Sequence, residues 1–175
     1  MKSYQDCRTG TVIGVYLISM FMAGCTRKES VSQRSIGMSQ IIPTLREAYA
    51  AFNRGDVDTA VAPMEANIEW VEPIEFPCGG ARHGRDAVKQ YLIQSRAGWA
   101  EGSSEPEGFV ISNDKIVVFV HARFRLKDSD AWQEVKLADV YTVQDKKIIA
   151  MHAFVDRKEA LHWAGATDQQ FKEAS

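Results

Sequence analysis

A carboxyl group can shuttle protons near neutral pH only where its surroundings raise its pKa, and two aspartates on adjacent extended segments are candidates. Along 131–144, Val135, Leu137, Asp139, Tyr141 and Val143 alternate with Glu134, Lys136 and Ala138. Successive strand side chains point to opposite faces, so Asp139 falls on the apolar one. A carboxylate there is costly unless paired or protonated, and desolvation moves its pKa up. That is the setting of a general acid or base. The alternative is a structural pairing with a buried arginine or a backbone amide. Along 147–156, Ile148, Ala150, His152, Phe154 and Asp156 share one face, and Ile149, Met151, Ala153 and Val155 the other. Neither face is polar, so alternation does not choose between them. Asp156 also precedes Arg157-Lys158-Glu159-Ala160, where an aspartate can cap a helix N-terminus.

Other reactive types carry weaker signals. His121, Arg123 and Arg125 lie opposite Ile116, Val118, Val120, Ala122, Phe124 and Leu126 on 115–126, so they belong to a face turned to solvent or a partner subunit. Tyr49, Trp70 and Tyr141 either line a pocket or fill a core. On a helix, Tyr49 could donate a hydrogen bond to a developing oxyanion. The histidines at 83, 121, 152 and 162 form no HxH or HxxxH pair, and no metal site is expected. Cys7, Cys25 and Cys78 share no CxxC spacing, and Cys78 has no flanking base to activate it. There is no glycine-rich phosphate loop, and no cofactor is expected. Twenty-one basic residues against twenty-three acidic leave a charge of −2, which gives no basic surplus for binding nucleic acid.

The elements that must position these groups follow from periodicity. Ile41, Leu45, Ala48, Tyr49 and Phe52 recur at helical spacing, with Gly55 as the stop. Asp56 can cap a short second helix over Val57, Ala60, Val61 and Met64. Residues 67–72 alternate as a strand, 73–84 read as a proline- and glycine-rich loop, and a third helix runs from Arg85 to Arg96. Gly98 to Gly108 reads as polar and turn-rich. Extended stretches then follow near 107–112, 115–126, 131–144 and 147–156, joined by short polar turns, with a closing helix from Arg157 to Ala164. Helices first and strands last indicate an α+β domain: a curved antiparallel sheet with helices packed over one face, enclosing a pocket.

Three blocks in that order carry a resemblance: AYAAFNRGDVDTAVAPM, WVEPIEFPCGGARHGRDAV and LADVYTVQDKKIIAMHAFVD. Together they resemble the nuclear transport factor 2-like superfamily, in its SnoaL-like and ketosteroid-isomerase-related branch, over residues 38–165. The resemblance implies a cone-shaped domain, a homodimer, one apolar pocket for a small-molecule ligand, and an acid at the end of the last strand that contributes to catalysis in some members. It therefore favours an inward Asp156 beside Asp139, with His152 and Phe154 among the pocket residues. Isomerase, cyclase and dehydratase chemistry by carboxylate proton transfer are the activities implied. A non-catalytic binding or dimerisation module is the alternative. Epoxide hydrolases of the superfamily pair an arginine with an aspartate two residues apart on a middle strand. Here the pattern is His121-x-Arg123, which argues against that reaction. Lys146 also departs from the glycine usual in the last turn.

Residues 1–25 read as a signal-like segment. Fifteen uncharged residues, 10–24, follow Lys2 and Arg8 and end in Met22-Ala23-Gly24-Cys25. This resembles a lipobox, with Cys25 the lipidated residue and sole link to a membrane, and places the chain in the cell envelope. Translation from Met38 with a cytoplasmic location is the alternative. Residues 26–37 form a polar linker and 166–175 a polar tail.

Overall fold

The computed structural model describes residues 37–76, 78–167 and 169–170. The signal-like segment, Cys25 and almost all of the linker lie outside them. Helix α1 spans Ile42–Asn53, with Pro43 in its first turn, where a fixed φ and a missing N–H cost nothing. Leu45 and Tyr49, four residues apart, are buried on its inner side. Gly55, at φ +82°, turns the chain out of the helix. Helix α2, Val57–Val61, starts at Asp56, whose side chain accepts the Thr59 N–H at 3.1 Å.

Strands β1 (Met64–Glu72) and β2 (Gly80–His83) precede helix α3, Arg85–Ala97. Strands β3 (Trp99–Ser112), β4 (Lys115–Leu126), β5 (Trp132–Gln144) and β6 (Lys147–Phe154) follow, and helix α4, Arg157–Ala164, closes the chain. The six strands lie in the order β2-β1-β6-β5-β4-β3. The expected α+β domain with a curved sheet is what the chain forms. The sheet is mixed rather than wholly antiparallel, because β1 pairs parallel with β6. The domain also has helices on both faces. On the inner face, the core includes Leu45, Ile68, Val88, Ile116, Val118 and Met151. On the outer face, α4 sets Ala160, Leu161 and Ala164 against Val117, Phe119, Ala138 and Val140.

Two stretches expected to be loop are strand. β2 pairs antiparallel with β1 from Glu72↔Gly80 to Glu69↔His83. β3 begins at Trp99, because its polar first half pairs with the charged half of β4: Glu101↔Arg125, Ser103↔Arg123 and Glu105↔His121. Ladder hydrogen bonds need no apolar alternation, and charge suits an edge strand. Only glycine fits at 102, where φ is +130° and an added Cβ would lie 2.4 Å from the Phe124 Cα. The β5–β6 turn places both Asp145 and Lys146 at positive φ, +50° and +63°. This is the twist a two-residue hairpin favours, so Lys146 takes a glycine's conformation.

Candidate functional site

Asp139 lies mid-sheet, opposite Val118 of β4 and Ala153 of β6. Its side chain points to the inner face and is 9% exposed. Because α1 and α3 stand off that face, a cavity of about 480 Å³ remains, with Asp139 in its wall. Tyr49, Trp70 and Tyr141 also line it. The Tyr49 hydroxyl donates to Asp139 Oδ2 at 2.5 Å, and the Tyr141 hydroxyl donates to Tyr49 at 3.1 Å. Tyr141 meets the rings of Tyr49 and Trp70 edge-on, at centroid distances of 6.5 and 6.4 Å. This packing holds the two hydroxyls in line with the carboxylate. Beyond them, Trp99 stacks on Phe124 at 4.6 Å and meets Phe52 edge-on at 5.5 Å, forming the apolar end of the cavity.

Burial pushes Asp139 up to about 7; the charge of Glu72 adds to this, and the Tyr49 hydrogen bond opposes it. Burial, and then the charge of Asp139, holds both Tyr49 and Tyr141 well above the ordinary tyrosine range, so both stay neutral donors. Glu72 is the second acid of the cavity. Burial raises its carboxyl, against hydrogen bonds from Trp70 and Tyr91 and the charge of Arg82. Trp70 Nε1 donates to Glu72 Oε1 at 2.8 Å. Tyr91, raised by burial and then by the Glu72 charge, lines the same wall. The Arg82 guanidinium lies 3.7 Å from the Tyr91 ring centroid and donates to the carbonyls of Gly80 and Cys78.

Several sequence-based assignments are corrected. Asp156 does not join Asp139. Strand β6 ends at Phe154, and the Asp156 carboxylate accepts the backbone N–H groups of Lys158 (2.7 Å) and Glu159 (3.4 Å) as the cap of α4. The orphan donors of a helix start outcompete a distant cavity for a short side chain. His152 and Phe154 face outward and pack on Trp163 of α4, at centroid distances of 4.7 and 5.7 Å. Burial lowers the His152 pKa, and its Nδ1 has no hydrogen-bond partner. As their place opposite the apolar face of 115–126 implied, His121 lies on the outer face, bonded to Glu134 at 2.7 Å, and Arg123 lies over the Trp132 ring at 4.3 Å. Neither lines the Asp139 cavity. Among the described residues, no group of three His, Cys, Asp or Glu side chains converges as a metal site.

Sequence reasoning missed Glu72, Tyr91, Trp99, Phe52 and Phe124. The signal for Glu72 was present, since it lies two residues from Trp70 on a strand and so shares its face. Tyr91, Leu92 and Ser95, spaced three and four apart along one side of α3, all border the cavity.

The sequence profile of the SnoaL-like domain matches residues 45–151, and the chain belongs to that family. Solved structures share its fold. A nuclear transport factor 2-like protein from Burkholderia xenovorans LB400 is 28% identical, with a TM-score of 0.57 over 72% of this chain and 95% of that one. TerC, co-crystallised with polyporic acid, is 20% identical, with a TM-score of 0.58 over 71% and 98%. SalBIII, an epoxide hydrolase/cyclase-like enzyme of pyran ring formation in the polyether salinomycin, is 21% identical, with a TM-score of 0.58 over 69% and 94%. A search of curated proteins found no match.

Proposed function

We propose that the chain binds a small, mostly apolar organic molecule in the Asp139 cavity and moves a proton on it. The observation that carries this reading is the placement of Asp139: walled in by hydrocarbon, with Oδ2 held by Tyr49 and a pKa near 7. A carboxyl near half-ionisation at neutral pH both accepts a proton and returns it. Glu72 takes the second acid–base role that the sequence had suggested for Asp156. Tyr49 gives its one O–H to the Asp139 carboxylate, and Tyr141 gives its own to Tyr49; once Asp139 has taken the proton from carbon, the Tyr49 O–H is released to serve the oxyanion, with Tyr141 still donating to Tyr49 behind it. The reaction class is isomerisation, cyclisation or dehydration, in which a proton is removed at one atom and delivered at another. The polyporic acid complex of TerC and the cyclase-like SalBIII support this use of the fold, though at their identity to this chain they share with it the fold alone.

Binding without turnover is the second reading. It is favoured by Asp156, which caps α4 and leaves the expected aspartate pair unmade. A carbon-detected NMR titration of the Asp139 carboxyl separates the two. Proton transfer requires a midpoint near 7. A midpoint in the ordinary carboxylate range, near ~4, leaves binding alone. Native mass spectrometry of the purified chain identifies a retained occupant. It also reads whether Cys25 carries lipid, as the proposed envelope location requires.

A further inference from the structure

Among the described residues, the cavity around Asp139 is bordered by two carboxyl groups and by no lysine, arginine or histidine side chain. Asp139 Oδ2 takes the Tyr49 hydroxyl and Glu72 Oε1 takes the Trp70 indole N–H, both neutral donors. Arg82, the cation that acts on Glu72, is spent on Tyr91 and on the carbonyls of Gly80 and Cys78. Buried acids are ordinarily offset by a cation, and the described residues of the cavity wall supply none. Tyr49, Trp70, Tyr91 and Tyr141 surround the acids and present neutral O–H and N–H donors around them, none of which cancels a negative charge.

We infer that the ligand itself brings the missing positive charge: a protonated or quaternary amine on an apolar body, its cationic end beside Asp139 and Glu72 and its body against Trp99 and Phe124. This rests on the cavity proposed above as the functional site and names its ligand class. The groups acting on Asp139 are Tyr49 from α1, Glu72 from β1, Tyr91 from α3 and Tyr141 on β5 itself, with Arg82 of β2 acting through Glu72. None is a cation in contact with the carboxylate. A bound ammonium therefore favours ionised Asp139 and expels its proton, so affinity rises with pH and binding below about 7 releases a proton.

The probes are phenyltrimethylammonium, which has no proton of its own, and its uncharged carbon isostere tert-butylbenzene. Binding to the full chain is followed by calorimetry in buffers of differing ionisation enthalpy and by the fluorescence of the cavity tryptophans Trp70 and Trp99, with Trp132 and Trp163, which do not line the cavity, replaced by phenylalanine. The cation should bind on the order of tenfold more tightly than the isostere at pH 8 and lose on the order of tenfold by pH 5, with proton release at pH 6. Glu72→Gln and Asp139→Asn should each weaken the cation and leave the isostere unchanged. Equal affinities for the two probes, or a preference for the isostere, overturn the charge inference and leave the cavity reading intact. Failure of both probes to perturb the cavity tryptophans overturns the two together.

Discussion

The two faces of the sheet meet their helices in different ways. On the outer face, α4 brings small and medium side chains, Ala160, Leu161 and Ala164, directly onto Val117, Ala138 and Val140. Its large ring, Trp163, packs on His152 and Phe154 of β6, and the contact closes. On the inner face, α1 and α3 carry the large rings of Tyr49, Phe52 and Tyr91; Tyr49 meets Tyr141 of β5 edge-on and Phe52 meets Trp99 of β3, so ring edges rather than small side chains span the gap to the sheet. The helices stand off and about 480 Å³ is left between them and the sheet. Two aspartates on neighbouring segments illustrate the consequence. Asp139, under the open side, keeps a proton to about pH 7. Asp156, at the edge of the closed side, is taken up by two backbone amides. One residue type serves a candidate site in the first place and a helix end in the second.

The comparison breaks first at Asp139. Its folded pKa of about 7 lies above the model-peptide value of 3.8. The protonated carboxyl therefore contributes stability that is fully present below the unfolded pKa and is lost as pH rises through the folded one. Asp139→Asn keeps a neutral side chain throughout, so its stability relative to wild type should climb between pH 4 and 8. The climb is bounded at roughly 4 kcal/mol, about 1.4 per pKa unit. Urea denaturation across that range reads it, and a flat difference would mean Asp139 is not buried as described.

Leu161→Ala is expected to cost about 3 kcal/mol, because a closed contact cannot relax around the void. The similarly sized Leu92→Ala, at a wall that already faces space, should cost about 1 kcal/mol. Equal losses would erase the distinction between the faces. Asp156→Ala should lose about 1 kcal/mol and Asp156→Asn much less, since asparagine caps equally well. Neither should shift the Asp139 titration. The smallest effect is expected for Tyr49→Phe. Its hydrogen bond lowers the Asp139 pKa, so its loss should move the carboxyl midpoint further up in the NMR titration.

Period-two alternation alone put Asp139 on the apolar face, and Tyr49 and Trp70 fell among pocket candidates from their positions in a helix and a strand. Glu72 shares a face with Trp70 on the expected strand, but nothing within that segment says which face meets Asp139, which lies far away in sequence. The first half of β3 was illegible for a different reason. Its pairing is held by main-chain bonds and by charges on β4, none of which leaves an apolar rhythm.

What the chain determined by itself is therefore local: which residues face together on each strand and helix, where Gly55 ends a helix, and that one carboxyl must lie against hydrocarbon. These follow from backbone geometry and solvent preference, which act over a few residues. The tertiary structure alone decided that β1 runs parallel beside β6, that Asp156 and His152 turn away, and that Glu72 faces the same space as Asp139. Those outcomes depend on which segments, distant in sequence, arrive on the same side of the sheet, and no period within any one segment records that.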